Sequence, residues 1–158
     1  MSSRAELPST SSLEVGAIGN CAYSALVDRY ARVVWCCLPR FDGDPVFNAL
    51  IDPSPEGALW SFELEDFARS EQFYEPNTAI LRTRLYDTRG QGVEVVDFAP
   101  RFFSRNRMFR PLTLVRRVKP IAGAPRLRVV LRPRFDLGTV KPTITQGSHH
   151  IRYVGPDQ

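Results

Sequence analysis

Short segments in which apolar and polar residues alternate dominate this chain, and they constrain its fold more than any other feature. The clearest is "NTAILRTRLY" at 77–86, where Leu81, Thr83 and Leu85 fall on one side of an extended strand. Because successive side chains of a strand point to opposite faces, this alternation predicts a strand with one buried face. The run "VEVVDF" at 93–98 follows "DTRGQG", which predicts a hairpin with a glycine-containing loop.

The same pattern recurs along the rest of the chain. "AYSALV" at 22–27 and "RVVWCCL" at 32–38 predict a second hairpin, and further strands are predicted at 112–118 and 126–135. Two shorter strands are predicted in "TVKPTITQ" and "HHIRYV". Seven or eight short strands at hairpin spacing predict an all-β fold, an antiparallel β-sandwich with one face of each sheet packed.

Signals for helices are few. "DPVFNALID" at 44–52 fits one or two helical turns, with Asp44 as the N-cap and Pro45 at the first helical position. "LEDFARSEQ" at 64–72 fits either a short helical turn or a loop. The thirteen prolines and ten glycines are spread along the chain and argue against long helices.

Length and composition fit one domain. The chain has 158 residues, 43% of them hydrophobic, and a chain of this length buries about 68–70% of its unfolded surface. The Ser- and Thr-rich start predicts a flexible tail at 1–12, followed by one domain at 13–158. The start lacks the apolar core of a secretory signal, and no segment approaches the roughly 18 apolar residues of a membrane span. We therefore expect a cytoplasmic protein with no membrane partner.

Charge divides the chain into two unequal halves. Residues 1–98 carry a net charge of −7 and residues 99–158 a net charge of +11. A row of arginines lies on one side of the predicted strand at 126–135: Arg126, Arg128, Arg132 and Arg134. This row could bind phosphates, or it could meet acidic side chains of another sheet or domain. Sheets that bind nucleic acid usually add exposed aromatic side chains, and none interrupts this row, so we expect no nucleic-acid partner.

No motif for a catalytic, metal or cofactor site is found. Cys21, Cys36 and Cys37 are odd in number and two are adjacent, so we expect buried free thiols rather than a disulfide framework. His149 and His150 are adjacent and diverge on a strand, which disfavours a shared metal. Acidic runs such as "FELEDF" at 62–67 are typical of solvated faces. The sequence therefore predicts no catalytic residue, no metal and no cofactor in this chain.

One stretch combines an arginine, an aromatic and a carboxylate where a strand ends. In "WCCLPRFDGDPVF" at 35–47, Pro39 ends the strand, and Arg40, Phe41 and Asp42 follow it. Strand ends can present side chains to a ligand or to another domain. The alternative is that Arg40 and Asp42 only pair with each other while Phe41 plugs the end of the sandwich.

Five segments, in the same order, resemble the amino-terminal region of bacterial glycoside hydrolase family 15, the glucoamylase- and trehalase-like enzymes. The resemblance covers roughly residues 17–136, and its most specific elements are "CLPRFD", "YEPNT" and "VDFAP". The segments are "IGNCAYSALVD" at 18–28, "WCCLPRFDGDPVFNAL" at 35–50, "YEPNTAILRTRLYD" at 74–87, "VEVVDFAPR" at 93–101 and "LVRRVKPIAG" at 114–123.

This resemblance implies a supersandwich-like β-sandwich and a separate catalytic α/α barrel further along the polypeptide. That barrel carries the general acid and general base of an inverting hydrolysis of α-glucosidic bonds. No such barrel fits into 158 residues, so we expect a truncated, non-catalytic fragment of a longer glycoside hydrolase, with an α-glucoside substrate only in the full-length protein.

The resemblance also suggests partners. Arg40, Phe41 and Asp42 become a candidate interface with the barrel, or part of the lip of the sugar pocket. Strand edges left unpaired predict a homo-oligomer of the isolated chain. The alternative function is a stand-alone carbohydrate- or polyanion-binding β-sandwich module.

Overall fold

A computed structural model of the chain describes residues 9–155, and this part is almost entirely antiparallel β-structure. Residues 9–155 contain no α-helix, and one 3₁₀ turn spans Asp136–Gly138. The strands are β1 (Val15–Gly19), β2 (Ser24–Asp28), β3 (Val33–Cys37), β4 (Pro45–Phe47), β5 (Leu59–Leu64), β6 (Phe67–Tyr74), β7 (Leu81–Asp87), β8 (Gly92–Phe98), β9 (Phe102–Ser104), β10 (Arg107–Phe109), β11 (Val115–Ala122), β12 (Leu127–Arg132), β13 (Thr143–Gln146) and β14 (Ile151–Val154).

Two sheets carry the fold. Sheet A has the strand order β1-β2-β3-β5-β12, with β4 also paired to β3, and sheet B has the order β11-β8-β7-β6. The predicted hairpins β2–β3 and β7–β8 are confirmed by their antiparallel registers. The successive strands β11 and β12 do not pair, because β11 pairs with β8 in sheet B and β12 with β5 in sheet A. The predicted all-β antiparallel sandwich is confirmed.

The core lies between the two sheets and follows the alternation seen in the sequence. Leu81 of sheet B packs into one cluster with Ile18 and Val33 of sheet A. Leu85 packs into a second cluster with Phe62. All five side chains are buried, and each contributes about 1.5–3 kcal/mol by leaving water.

A buried ion pair of sheet B connects the two sheets. Arg116 of β11 binds Asp97 of β8 through two hydrogen bonds, from Nε to Oδ1 at 2.8 Å and from Nη2 to Oδ2 at 3.1 Å. The same guanidinium donates to the carbonyls of Trp60 at 2.6 Å and Ala31 at 2.7 Å, both in the half of the sandwich formed by sheet A. Its centre also lies 4.7 Å from the Phe62 ring centroid. Arg116 therefore ties one sheet to the backbone of the other.

The sandwich is closed along one side and open along the other. On the closed side, the Tyr74 hydroxyl of β6 accepts from the Ala17 N–H at 2.7 Å and donates to the Ala17 carbonyl at 2.8 Å, which satisfies the backbone of edge strand β1. Gly16 permits this approach, since a Cβ there would lie 2.7 Å from Leu81 Cδ2. On the open side, Val129 of edge strand β12 lies opposite Phe62 but is 58% exposed.

The open edge at β12 leads us to expect self-association of the isolated chain, because an unpaired strand edge is a template for another strand. Light scattering over a concentration series should show a mass that rises above that of the monomer. Val129→Lys places a charge at this edge and should return the chain to a monomer. A wild-type chain that stays monomeric at high concentration would refute this expectation.

Two local predictions differ from the structure. The expected helix start at Asp44 and Pro45 is wrong, because Pro45–Phe47 forms β4 against β3. A single turn follows at 48–52, where the N–H groups of Ile51 and Asp52 donate to the Asn48 carbonyl at 3.0 Å. The segment 64–72, expected as a helical turn or a loop, is the junction of β5 and β6, turned by Asp66 at φ 52°. An Asp–Pro pair before an apolar residue is compatible with a short edge strand as well as with a helix start. Here the pairing of β4 with β3 favours the strand.

Residues 1–8 of the expected tail lie outside the described residues. In the described part, Thr10 is 7% exposed and its hydroxyl donates to the Ala49 carbonyl, while Arg32 donates to the Ser9 carbonyl at 3.4 Å. This part of the chain therefore packs on the sandwich. Between residues 9 and 155 the structure contains no helix with the length and apolar character that crossing a membrane requires.

Candidate functional site

The loop at 38–44 connects β3 to β4 at the end of the sandwich. It carries the three candidate interface residues, Arg40, Phe41 and Asp42. Arg40 binds Asp42 through two hydrogen bonds of 2.9 Å, and the Gly43 N–H closes the loop on the Arg40 carbonyl at 3.1 Å. Both paired side chains are mostly exposed, at 76% and 70%. Phe41 is 56% exposed, so it does not plug the sandwich. The structure thus brings Arg40 and Asp42 together and leaves Phe41 in solvent.

Other loops meet this one at the same end of the sandwich. Ala25 pairs with Cys36, so the β1–β2 turn lies beside the start of the 38–44 loop. The Tyr23 hydroxyl donates to the Thr113 carbonyl at 2.6 Å, which brings the segment between β8 and β11 to the same place. We call this surface, formed by 20–23, 38–44 and 99–114, the loop end.

Asn20 holds two chain segments together at the loop end. Its side chain is 1% exposed, and Nδ2 donates to the carbonyls of Pro100 at 2.9 Å and Pro111 at 2.8 Å. Its Oδ1 accepts from the Ala22 N–H at 3.1 Å. Pro100 and Pro111 bracket the β9–β10 hairpin, so this one buried amide fixes the base of that hairpin on the sandwich.

The β9–β10 hairpin carries large apolar side chains that are exposed. Phe102 pairs with Phe109 and Phe103 with Met108, and the rings of the first pair stack at 5.5 Å between centroids. Their exposures are 51% for Phe102, 66% for Phe103, 44% for Met108 and 40% for Phe109. The turn uses Arg105 and Asn106, both with positive φ, as two-residue hairpin turns do. Both faces of the hairpin therefore present apolar surface.

The same segment is strongly basic. Residues 99–114 contain Arg101, Arg105, Arg107 and Arg110 and no Asp or Glu, and all four arginines are exposed. Arg101 donates to Cys21 Sγ at 3.4 Å, whereas among the described residues the other three have no ion-pair or hydrogen-bond partner for their side chains. The hairpin is thus an apolar element with a positive rim.

Sequence reasoning did not identify this hairpin or Asn20. A usable signal existed in "FFSRNRMF" at 102–109, where two apolar pairs flank a turn containing Asn. No local signal marks Asn20, because its acceptors lie 80 and 91 residues away in the chain.

Replacing Asn20 should loosen the hairpin. Asn20→Ala leaves two carbonyls without their donor, and we expect a loss of about 1–3 kcal/mol in the free energy of unfolding. Hydrogen exchange of the 102–109 amides should accelerate as well. Asn48→Ala is the matched control, since buried Asn48 donates to the Leu137 carbonyl instead. Equal exchange of the hairpin in both variants would show that Asn20 does not position it.

The arginine row meets acidic partners within its own sheet. Arg126, Arg128 and Arg132 lie 3.9, 3.7 and 3.9 Å from Glu65, Glu63 and Glu56. The acidic first half of the chain therefore supplies the partners, but from the neighbouring strand β5 and the turns before and after it rather than from another sheet or domain. Such wide, exposed pairs contribute no more than about 1 kcal/mol each.

The cysteines offer no reactive thiolate in the core. Cys36 and Cys37 are buried and free, as expected, whereas Cys21 is exposed, contrary to the expectation. Burial, and then the neighbouring Cys37, raise the pKa of the Cys36 thiol to about 12. Burial also raises the pKa of Cys37. Both thiols therefore stay protonated at neutral pH and act as small apolar side chains.

The buried carboxylates are engaged in structural contacts. Asp97 binds Arg116, Asp28 binds Arg32 at 2.6 Å, and Asp87 accepts the N–H groups of Arg89 and Gln91 at 2.8 Å. Burial alone would raise the pKa of Asp87, but these hydrogen bonds outweigh it and lower that pKa. These contacts give all three carboxylates structural roles in the sandwich.

A cleft of about 450 Å³ lies between β1 and β6. Its lining holds one carboxylate, Glu14, which is exposed and 3.4 Å from Arg29. In the described part of the chain, no three His, Cys, Asp or Glu side chains are grouped to hold a metal. The cleft thus lacks the pair of carboxylates that hydrolysis of a glycoside needs.

Comparison with known proteins shows similarity to part of two longer chains. The chain is 31% identical over 143 residues to "Trehalase 1" of Sulfolobus acidocaldarius, an alignment that covers 90% of this chain and 23% of that protein. It is 26% identical over 136 residues to "Trehalase" of Thermoplasma volcanium, covering 85% of this chain and 21% of that protein. The chain thus spans less than a quarter of the length of these relatives.

No solved structure gives a significant match to the chain. A family model described as "Trehalase-like, N-terminal" matches residues 10–158, which is almost the whole sequence. The chain therefore belongs to the trehalase-like N-terminal family.

Proposed function

We propose that this chain is the non-catalytic N-terminal β-sandwich domain of a family 15 glycoside hydrolase. The observation that carries the proposal is the family match over residues 10–158, combined with relatives called trehalases that are more than four times as long as the matched region. In the full-length protein, two carboxyl groups outside this chain hydrolyse an α-glucosidic bond with inversion. They lie about 6.5–9.5 Å apart, which leaves room for the attacking water.

The chemistry of this chain supports a non-catalytic role. Its buried carboxylates bind arginines or backbone N–H groups, and its core thiols are held protonated. Because the relatives are called trehalases, we propose trehalose as the first substrate to test, with maltose and longer α-glucans as alternatives. The free cysteines fit a cytoplasmic location.

The experiment uses the full-length protein. Its incubation with trehalose, maltose and maltoheptaose should release glucose, and polarimetry or NMR should detect β-glucose as the first product, as inversion requires. Release of α-glucose would refute the inverting mechanism. A full-length protein that cleaves no α-glucoside would refute the proposed function.

We also propose that Arg40, Phe41 and Asp42 face the catalytic domain in that protein. Among residues 9–155 the exposed Arg40 side chain pairs only with Asp42, so Arg40→Ala should lower the stability of the 158-residue chain by less than about 1 kcal/mol. In the full-length protein the same change should lower the melting temperature or the turnover. Arg126→Ala, at the other end of the sandwich, is the control. Unchanged melting temperature and turnover in the full-length Arg40→Ala variant would eliminate this interface.

A second candidate function is a stand-alone carbohydrate- or polyanion-binding module. The exposed basic and aromatic β9–β10 hairpin favours it, because arginines with exposed rings are typical of surfaces that bind such chains. Calorimetry of the 158-residue chain with maltoheptaose and with heparin separates the two functions. Binding at micromolar concentration would support the module, and no binding supports the accessory domain.

A further inference from the structure

We propose that the β9–β10 hairpin is a docking arm for the remainder of the full-length polypeptide, and that it binds a face with an apolar groove rimmed by carboxylates. The inference rests on the proposed function, because its occupant is the part of a longer protein that lies outside this chain.

The apolar content of the arm indicates a buried interface. Phe102 stacks on Phe109, and Phe103 lies opposite Met108, so each apolar pair can fill a groove. All four side chains are between 40% and 66% exposed, whereas the alternating apolar residues Leu81, Leu85 and Val95 of sheet B are buried. A contiguous exposed apolar patch of this kind marks an interaction site.

The charge of the arm defines its partner. Arg105, Arg107 and Arg110 have no side-chain partner within the described residues, and the segment 99–114 contains no acid. Arginines at an interface bind carboxylates through charge-assisted hydrogen bonds. The receiving face is therefore acidic around its groove. A second copy of the hairpin would instead bring like charges together, which disfavours a symmetric dimer through this arm.

The arm is held in position before it binds. Asn20 fixes both ends of its base, and Tyr23 binds the segment that follows it through the Thr113 carbonyl. Burial raises the pKa of the Tyr23 hydroxyl to about 12, with a smaller contribution from Cys36, so this donor persists at physiological pH. An element that is already ordered loses little conformational freedom on docking, which favours affinity.

The position of the arm suits a large intramolecular partner. It projects from the loop end beside the 38–44 loop, whose Phe41 is also exposed. Relatives of this chain have more than three quarters of their length outside the matched region. The loop end thus offers exposed rings and arginines to that remaining polypeptide.

Hydrogen exchange of the full-length protein, compared with the 158-residue chain, tests the arm. The 102–109 amides of the isolated chain should exchange quickly, because only a short two-stranded hairpin protects them. In the full-length protein we expect the same amides to exchange at least tenfold more slowly. Equal exchange in the two proteins would overturn the inference.

Two pairs of variants identify the contacts. Phe103→Ser combined with Met108→Ser should remove the protection in the full-length protein, whereas Ile51→Ser, equally exposed at 66%, should not. Arg107→Glu should weaken the protection at low salt, whereas Arg126→Glu, at the opposite end of the sandwich, should leave it unchanged. In the 158-residue chain all four variants should keep the wild-type melting temperature, since each replaced side chain is exposed. Protection that survives both the Phe103→Ser/Met108→Ser change and the Arg107→Glu change would overturn the proposed contacts.

Other occupants give different results. If the 102–109 amides of the 158-residue chain become protected as its concentration rises, a second copy binds the hairpin. If they become protected on adding heparin or maltoheptaose, the hairpin binds a ligand. Either result would overturn the docking arm. Glucose release from trehalose is measured on the same full-length sample. Hydrolysis without hairpin protection refutes the arm alone, and hairpin protection without hydrolysis refutes the proposed function alone.

Discussion

Arg116→Met is expected to lower the free energy of unfolding of this chain by about 3–5 kcal/mol, the typical effect of breaking a buried ion pair. Both Arg116 and Asp97 have 0% side-chain exposure, so the remaining carboxylate would be left without a cation in the core. The variant also loses two donors to the carbonyls of Trp60 and Ala31, which tie sheet B to sheet A. Urea unfolding followed by circular dichroism measures the change.

The neighbouring residue provides a matched control for this prediction. Arg117 follows Arg116 on β11 but points to the exposed outer face, so Arg117→Met should change stability by less than about 0.5 kcal/mol. The double variant Arg116→Met with Asp97→Leu should be more stable than Arg116→Met alone, because it removes the unpaired charge. A loss below 1 kcal/mol for Arg116→Met would show that the pair does not hold the sheets together.

Glu94→Gln is expected to lower stability at neutral pH by about 2 kcal/mol, since hydrogen bonds to charged groups contribute about 1.5–3 kcal/mol and solvent screens the exposed partners. Glu94 lies on the outer face of sheet B but is 2% exposed, beneath three cations. Its carboxylate is 3.0 Å from Arg82 and 3.1 Å from both Arg84 and Lys119. The variant removes the one charge that holds these three together.

The effect should depend on pH. Burial alone would raise the pKa of Glu94, but Lys119, Arg84 and Arg82 outweigh burial and lower it. The stabilisation is therefore fully present above the unfolded pKa of about 4.3 and is lost as the pH falls through the lower folded pKa. The stability difference between wild type and Glu94→Gln should shrink below pH 4. Glu71→Gln, on the same face but 45% exposed, is the control, and a difference that stays constant with pH would refute this account.

The strands with one buried face could be predicted from the sequence, because burial imposes alternation on them. Leu81, Thr83 and Leu85 of β7 are buried and alternate with half-buried residues, and this strand was predicted. Strand β6 was missed, since an edge strand exposed on much of both faces has no such alternation. The hairpins at 22–38 and 77–98 could also be predicted from the sequence, because their paired strands are close together in the chain.

Only part of the candidate site could be predicted from the sequence. Arg40 and Asp42 were expected at the end of a strand, and their local pairing follows from their spacing. The loop end as a whole depends on contacts between distant residues, such as Asn20 with Pro111, and no local pattern predicts these contacts. The exposure of Phe103 likewise depends on what covers it, and alternation alone cannot distinguish an outward apolar side chain from a buried one.

The most direct test compares glucose release by two purified proteins, the 158-residue chain and the full-length polypeptide, from trehalose under the same conditions. The central claim is that this chain is a β-sandwich domain and that the catalytic carboxylates lie in the remainder of the full-length polypeptide. It predicts release by the full-length protein and none above background by the 158-residue chain. Release of glucose by the 158-residue chain itself, freed of contaminating enzymes, would contradict it.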